Sequence, residues 1–357
     1  MRKEKEGAVP KPYQPPYSIT PDILHLVEKI GEHLGVIKTI LPDAQKPDLH
    51  RINRIKTIQG TLEIEGNNLN IGQVTAVLDG KRVLAHPREL QEVQNAFAVY
   101  DTMTQWTVHS RDDLLSAHRL MMAGLVDEPG QFRSGDVGVH GTERVLHVAP
   151  PANRIPQLME QLLKWLRQTD EHPLIASAVF HYELEFIHPF QDGNGRMGRL
   201  WQTLILGAWN PVFHFLPLES MIRDHRSRYY EGINTCNQAG ESTEFIVFAL
   251  HIIEAVLADH VKTEHDAEQV SEQVERLLRI MGKSAYAARE LMAKLNLNHR
   301  PTFLYSYLQP AIKAGIIEMT RPETPRARNQ KYRLAPRGIA RKCLLLEING
   351  VKSAVDS

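Results

Sequence analysis

The feature that most constrains this chain is the twelve-residue segment His188-Pro-Phe-Gln-Asp-Gly-Asn-Gly-Arg-Met-Gly-Arg199. A run with helical periodicity ends at its His-Pro step and another begins inside it, so the segment predicts a turn between two helices. Gly193 and Gly195 permit backbone conformations closed to other residues, so successive N–H groups can converge on one anion. The positive end of the second helix dipole adds to this attraction. The segment therefore predicts an anion-binding site at the N-terminus of the second helix.

Charged side chains next to this turn suit nucleotide chemistry. Arg196 and Arg199 are three residues apart at the start of the helix, so both can reach outer phosphates through charge-assisted hydrogen bonds. Asp192 precedes the turn and can supply the carboxylate that Mg²⁺ binds together with phosphate oxygens. His188, with an ordinary pKa of about 6.5, can accept the proton of an attacking hydroxyl at neutral pH. Taken alone, His188 also suits a core histidine that ends a helix, but the group as a whole favours phosphate chemistry.

The twelve residues match HPFx[D/E]GNGRxxR at every specified position, and in this the chain resembles the Fic family. Most Fic enzymes transfer AMP from ATP to a hydroxyl side chain of a target protein and release pyrophosphate. The resemblance implies a mainly α fold, a helical core with a β-hairpin flap, with Mg²⁺ as cofactor and ATP as co-substrate. It implies His188 as the base and Asp192 as the metal ligand. The implied nucleotide-binding residues of the signature are Gly193, Asn194, Gly195, Arg196, Met197, Gly198 and Arg199.

A second segment, Thr61-Leu-Glu-Ile-Glu-Gly-Asn67, resembles the inhibitory motif [S/T]xxxE[G/N] found N-terminal to the core in some Fic proteins. Alone, so short a motif more often marks a solvated helix end. The resemblance implies an inhibitory element made of Thr61, Glu65 and Gly66. In that arrangement Glu65 pairs with Arg199 and takes the place of the γ-phosphate, so that bound ATP does not react.

Glycines and valines between Gly130 and Val148 predict a short β-hairpin. By resemblance it corresponds to the Fic flap, which aligns a target segment through main-chain pairing. A hairpin with a purely structural role is the alternative. The implied flap residues are Val137, Gly138, Val139 and His140.

Tyr229, Tyr230 and Asn237 follow the signature on a predicted helix. They resemble the tyrosine pair and the asparagine that enclose the adenosine in Fic enzymes. Adjacent tyrosines on a helix also suit simple core packing, so this alternative stays open. The helix itself is predicted to run without a break from Glu219 to Asn237.

The C-terminal part of the chain is basic. From Lys283 to Lys342 there are 13 Lys/Arg and 3 Asp/Glu, although the whole chain has 42 of each. Two predicted helices followed by two predicted strands resemble a winged helix, which binds DNA or serves as a docking or dimer-packing module. The expected recognition helix carries Thr302, Tyr305, Ser306 and Lys313. The expected wing carries Arg321, Arg326, Arg328 and Lys331.

These patterns predict five regions: a flexible arm at 1–18, an N-terminal helical region with the inhibitory helix at 19–110, a Fic core at 111–262, a linker helix and winged-helix domain at 263–345, and a tail at 346–357. The most apolar stretch, Phe245–Ala258, contains His251 and Glu254 and is too short to span a membrane. The two cysteines are far apart and argue against a disulfide framework. We therefore expect a cytoplasmic protein without a membrane partner.

The leading hypothesis is a protein adenylyltransferase that modifies a Ser, Thr or Tyr hydroxyl of a target, with self-modification as a further outcome, and that Glu65 inhibits. A homodimer is implied by resemblance. One alternative is a DNA-binding regulator that senses ATP without turnover. Another is transfer or removal of a different phosphate-linked group at the same site.

Overall fold

The computed structural model describes residues 13–40, 47–136, 138–140, 145–268, 272–282, 284–325, 327, 329–335, 338–339 and 342. Residues 1–12 of the predicted arm, the predicted tail, Val137 of the predicted flap, and Arg326 and Arg328 of the predicted wing lie outside these ranges. Helices dominate the described residues, which confirms the mainly α class. Contacts divide the chain into an N-terminal unit, which ends at His260, and a C-terminal unit, which begins at Val261.

The N-terminal unit is a helical assembly with one hairpin. Its hairpin pairs strand β1 antiparallel to strand β2, as the glycine and valine pattern predicted. The elements in chain order are α1 Pro21–Ile40, α2 Pro47–Ile64, α3 Ile71–Leu78, α4 Pro87–Thr102, α5 Arg111–Met121, β1 Gly138–His140, β2 Val145–Val148, α6 Ile155–Gln168, α7 Pro173–Ile187, α8 Asn194–Trp209, α9 Leu218–Asp224, α10 Arg226–Ala239 and α11 Thr243–Glu268, which begins in this unit and continues past His260.

Helices α7 and α8 form the centre of this unit, one on each side of the signature loop. Residues 174–184 of α7 and 196–207 of α8 are all buried. Helix α2 lies directly against α9 at Gly60, where a Cβ atom would lie 2.8 Å from the backbone of Glu219. This backbone contact fixes the position of the segment that carries Glu65.

The single helix predicted from Glu219 to Asn237 is wrong. The structure has two helices, α9 and α10, which part at His225 with φ −114° and ψ 28°. The imidazole Nδ1 of His225 lies 3.0 Å from the carbonyl oxygen of Met221, and the backbone N–H donates to the same carbonyl at 3.1 Å. The histidine thus closes the end of α9, and the chain restarts in a new direction.

The C-terminal unit contains helices and a three-stranded antiparallel sheet. In chain order the elements are α12 Glu272–Ile280, β3 Tyr286–Ala287, α13 Ala288–Lys294, α14 Arg300–Thr302, a π-helical turn Phe303–Leu308, α15 Gln309–Lys313, β4 Ile317–Met319 and β5 Lys331–Leu334. The sheet order is β3-β5-β4. Two strands were predicted; β3 escaped prediction because two residues are too few for an alternating pattern.

A cluster of buried apolar residues holds the C-terminal unit together, among them Leu277, Leu291, Phe303 and Ile316. Tyr332 of β5 pairs with Tyr286 on one side and with Met319 on the other. In the described ranges, the helices lack the combination of length and apolarity that crossing a bilayer requires.

Candidate active site

A pocket of about 200 Å³ opens where α8 begins. It brings together three regions that the sequence predicted separately: the signature loop, the inhibitory segment and the tyrosine helix. Its lining residues are Glu65, Glu185, His188, Gln191, Asp192, Gly193, Asn194, Gly195, Tyr229, Tyr230, Ile233, Asn234 and Asn237.

His188 ends α7 in a left-handed conformation, with φ 50° and ψ 60°. A non-glycine residue adopts this conformation only when its surroundings hold it there. Its backbone N–H donates to the carbonyl of Leu184 at 2.9 Å, and its carbonyl accepts from Nε of Arg133 at 2.7 Å. The imidazole is therefore carried into the pocket by a backbone that is fixed from both sides.

Arg133 is a buried guanidinium that the sequence did not single out. Besides His188, it donates to the carbonyls of Gly135 at 2.8 Å and Pro150 at 2.6 Å. It thus ties the end of α7 to the backbone on either side of the hairpin. Burial lowers the pKa of Arg133, although Asp136 opposes this. Its partners are main-chain oxygens, which leave no pattern in a sequence.

The signature loop is also closed by its own residues. The side chain of Asn194 accepts from the N–H of Phe190 and donates to the Phe190 carbonyl, each at 2.9 Å. Gly193, with φ +85°, begins α8, and a Cβ there would lie 2.7 Å from the sulfur of Met122. Helix α8 therefore starts at Asn194, two residues before the predicted start at Arg196.

His118 on α5 supports the loop from below. Its ring stacks on Phe190 with centroids 3.7 Å apart. The N–H of Gly130 donates to Nδ1 at 2.8 Å, so the proton is on Nε2, which lies 3.0 Å from the carbonyl of Asp192. Burial lowers the pKa of His118 to about 4, which keeps this ring neutral. The sequence did not identify this residue either.

Arg199 is almost completely buried beneath the pocket, and Glu65 reaches it from the turn that directly follows α2. Its Nη2 contacts Glu65 Oε1 at 2.6 Å and the carbonyl of Thr61 at 3.2 Å, while Nε donates to Thr61 Oγ1 at 3.0 Å. The expected pair of Glu65 with Arg199 is thus present. Burial would lower the pKa of Arg199, but the Glu65 carboxylate outweighs it and the pKa lies above its ordinary value. Gly66, with φ +91°, turns the chain away after Glu65.

Arg196 is held more loosely than Arg199. Its guanidinium nitrogens lie 3.6 Å from Glu92 Oε1 and 3.4 Å from Asp192 Oδ1. The second oxygen of Asp192 lies 3.5 Å from Nη2 of Arg88. The Asp192 side chain is 44% exposed. An exposed carboxylate beside an anion turn fits Mg²⁺, which takes one or two carboxylates and completes its shell with phosphate oxygens and water.

Two signature glycines make room for side chains from other helices. A Cβ at Gly195 would lie 2.6 Å from Glu65 Oε1, and a Cβ at Gly198 would lie 2.5 Å from the His181 ring. Gly198 and the fully buried Met197 are absent from the pocket lining and pack into the protein core. Met197 and Gly198, which the resemblance implied as nucleotide-binding residues, therefore lie below the pocket and not in its wall.

Helix α10 forms the opposite wall. Tyr229 is buried, with its hydroxyl 3.1 Å from His181 Nε2 and 3.2 Å from Glu185 Oε1. Tyr230 is 39% exposed and presents its ring to the pocket, and Asn237 accepts from the hydroxyl of Tyr182 at 3.1 Å. Both tyrosines line the pocket, and of the two Tyr230 is the more exposed.

The predicted flap is described by its backbone alone. Gly138 pairs with Val148, and Val139 pairs with His147. Glu185, in contrast, lines the pocket without having been predicted as a site residue. Its signal was its spacing, since it lies on the last turn of α7, three residues before the predicted base His188.

Two family models match the chain. The Fic/DOC family matches residues 108–206, and the model named filamentation induced by cAMP protein Fic-like, C-terminal domain, matches residues 272–335. Among curated proteins, the chain is 31% identical over 221 residues to the protein adenylyltransferase Fic of Aedes aegypti, covering 57% of this chain and 41% of that protein. It is 32% identical over 212 residues to that of Drosophila ananassae, covering 56% and 40%. The chain thus spans less than half the length of these relatives.

Solved structures give a longer match. A Fic family protein from Desulfovibrio desulfuricans G20 superposes with a TM-score of 0.70 at 51% identity, covering 91% of this chain and 99% of that chain. A Fic domain containing signaling protein from Bacteroides thetaiotaomicron VPI-5482 has a TM-score of 0.57 at 18% identity, covering 66% and 97%, and shares the fold. The loop around His188, the pocket above Arg199 and these matches together show that the chain belongs to the Fic family.

Proposed function

We propose that this chain is a protein adenylyltransferase, a nucleotidyltransferase that moves AMP from ATP to a hydroxyl side chain of a target protein. The observation that carries this proposal is the convergence of His188, the glycine turn and buried Arg199 at one pocket. The relatives named protein adenylyltransferase support the same activity. Targets with Ser, Thr or Tyr at the acceptor position, and modification of the chain itself, belong to this proposal.

In the proposed reaction, His188 accepts the proton of the acceptor hydroxyl. The freed oxygen attacks the α-phosphorus of ATP, a new O–P bond forms, and the bond to the β-phosphate oxygen breaks to release pyrophosphate. Main-chain N–H groups of Gly193 to Gly195 and the guanidinium of Arg196 hold the phosphates in position. Asp192 would hold Mg²⁺, which neutralises phosphate charge.

Glu65 inhibits this reaction in our proposal. Its carboxylate occupies Nη2 of Arg199 at 2.6 Å, where a γ-phosphate oxygen would otherwise bind. A phosphate oxygen carries the same sign of charge as the Glu65 carboxylate, so the two repel each other and do not share Nη2. ATP then binds with its outer phosphate displaced, and its α-phosphorus is out of line with the attacking hydroxyl.

Further parts of the proposal concern partners. The backbone of Gly138, Val139 and His140 pairs with an extended target segment, as an exposed strand edge can. The basic C-terminal unit serves as a docking module, and a second copy of the chain completes a homodimer. DNA is the alternative ligand of that unit, since exposed Thr302, Tyr305, Ser306 and Lys313 lie on one helical stretch.

The test of the proposed function is the intact mass of purified proteins after incubation with Mg²⁺ and ATP. We compare wild type, Glu65→Gly, Glu65→Gly/His188→Ala and a control, Glu63→Gly. Glu63 lies on the same helix, but its carboxylate faces Arg223 at 3.4 Å. The proposal expects added AMP in Glu65→Gly, less in wild type and Glu63→Gly, and none in the double variant.

Absence of added mass in all four proteins, with ATP still bound, would instead favour an ATP sensor without turnover. Loss of His188 would then leave ATP binding and any DNA binding unchanged. Added mass that differs from AMP would point to transfer of another phosphate-linked group. Competition among nucleotides identifies the donor in that case.

A further inference from the structure

Glu185 is a carboxyl group in the pocket that the proposed reaction does not use. It lies on α7, one helical turn before His188, and lines the pocket together with Glu65. Around the position of a Cβ on Gly195, Glu65 Oε1 is at 2.6 Å, Arg199 Nη1 at 3.1 Å and Glu185 Oε1 at 3.2 Å. The two carboxyl groups and the Arg199 guanidinium therefore border the same space beside Gly195, and Nη1 of Arg199 has no hydrogen-bond partner among the described residues.

A buried chain of hydrogen bonds extends behind Glu185. The Glu185 carboxyl lies 3.2 Å from the Tyr229 hydroxyl, which lies 3.1 Å from His181 Nε2. His181 Nδ1 lies 2.7 Å from Oε1 of Gln202. Burial lowers the pKa of His181 to about 3, so its ring is neutral and carries one N–H.

This chain can be completed in two ways. If Nδ1 of His181 donates to Gln202, then Nε2 accepts the proton of Tyr229, and Glu185 must donate its own proton to the Tyr229 oxygen. If the Gln202 amide is turned over, it donates to Nδ1, Nε2 donates to Tyr229, and Tyr229 donates to an ionised Glu185. The chain therefore accommodates Glu185 both with and without a proton.

The charges around Glu185 place its titration near neutral pH. Burial and then the charge of Glu65 raise the pKa of Glu185 to about 7, while Arg199 and the Tyr229 hydroxyl act in the opposite direction. The titratable and charged groups that face it are Glu65 just after α2, His181 on α7 and His188 just after it, Arg199 on α8, and Tyr229 and Tyr230 on α10.

We propose that Glu185 is a positioning residue that competes with Glu65 for Arg199. As a neutral acid it leaves Arg199 to Glu65 and the site stays blocked. As a carboxylate it repels Glu65 and becomes the counter-ion of Arg199, and its proton passes to solvent. The release of Glu65 is thereby linked to the loss of one proton.

The sign of the pH effect follows from linkage. With Glu65 on Arg199, Glu185 holds its proton more tightly than with Glu65 displaced, so the blocked form binds more protons. Raising the pH therefore favours displacement, up to a pH of about 7, where the blocked form also ionises. Above that pH the effect is constant.

The experiment measures initial rates of AMP transfer for wild type and Glu65→Gly from pH 5.5 to 8.5. The rate of Glu65→Gly divided by that of wild type reports inhibition by Glu65, because the groups that carry out the transfer are common to both. As the pH rises, this ratio should fall, in total about tenfold for each unit by which Glu65 raises the pKa of Glu185. It should level off above neutral pH. In the Glu185→Gln background the ratio should be large and independent of pH.

A matched control is Glu183→Gln, which neutralises a carboxyl on the same helix that accepts from the Tyr13 hydroxyl at 2.7 Å. It should keep the pH dependence of the wild type. The same pH dependence in Glu185→Gln and wild type, or none in wild type, would overturn the proposal.

This inference rests on the proposed block by Glu65, and it uses AMP transfer only as its readout. If no AMP transfer occurs, ATP affinity from calorimetry at pH 6 and pH 8 replaces the rates. The ratio of the ATP affinity of Glu65→Gly to that of wild type should then be smaller at pH 8 than at pH 6. Glu185→Gln should abolish that difference. Failure of transfer alone leaves this second measurement intact, and an unchanged affinity ratio contradicts the role of Glu185.

Discussion

Each unit of the chain contains an arginine–glutamate pair of almost the same length. Arg199 and Glu65 in the N-terminal unit are 2.6 Å apart, with side chains 1% and 29% exposed. Arg333 and Glu318 in the C-terminal unit are 2.5 Å apart, with side chains 58% and 42% exposed. Distance is therefore equal and burial differs. A buried ion without its partner is costly, whereas water replaces the partner of an exposed one.

Replacing each arginine in turn is the most direct test of whether burial decides the strength of these pairs. Arg199→Met leaves the Glu65 carboxylate facing an apolar side chain, and we expect a loss of about 3–5 kcal/mol in the free energy of unfolding. Arg333→Met should cost no more than about 1 kcal/mol, because its pair is exposed. Denaturant unfolding followed by circular dichroism measures both. Equal losses would contradict the view that burial decides the strength of these pairs.

Arg133 is a third, also buried arginine, and its partners are carbonyl groups instead of carboxylates. Arg133→Met leaves the carbonyls of His188, Gly135 and Pro150 without their donor, and we expect a loss of about 2–3 kcal/mol. AMP transfer by Glu65→Gly should also fall, since His188 loses its support. The control is Arg167→Met at the exposed end of α6, for which both measurements should stay unchanged.

A substitution at Gly60 tests whether the packing of α2 against α9 determines the strength of the Arg199–Glu65 pair. A methyl group in Gly60→Ala would overlap the backbone of Glu219 and push α2 outward, at a cost of about 1–3 kcal/mol. Transfer by this variant should exceed that of wild type, because Glu65 is moved away from Arg199. Gly35→Ala on α1 has open space around it and should slightly stabilise the protein without changing transfer.

The smallest effect is expected on the surface of the C-terminal unit. Arg300 and Lys313 are exposed, so Arg300→Ala/Lys313→Ala should change the free energy of unfolding by no more than about 0.5 kcal/mol per site. Thermal unfolding monitored by calorimetry checks this. A loss of several kcal/mol would mean that these charges are part of the packing, as they are around Arg199.

The sequence predicted those parts of the site whose residues are neighbours in the chain. The anion turn and the end of α7 at His188 follow from one short segment, whereas the pair of Glu65 with Arg199, 134 positions apart, was implied only by the family resemblance. Arg133 and His118 were missed because they bind main-chain carbonyl oxygens. Every residue has such an oxygen, so no residue type in the sequence marks the partner. Nor could the sequence distinguish Gly60, which touches α9, from Gly35, which faces open space.

In the proposed mechanism, Glu65 and the outer phosphate of ATP compete for Arg199. Calorimetric titration of wild type, Glu65→Gly and Glu65→Gly/Arg199→Met with ATP and with ADP, each with Mg²⁺, tests it without relying on transfer. We expect wild type and the double variant to bind both nucleotides with affinities within about threefold, and Glu65→Gly to prefer ATP by at least about tenfold. An equal preference for ATP in wild type and Glu65→Gly would contradict the claim.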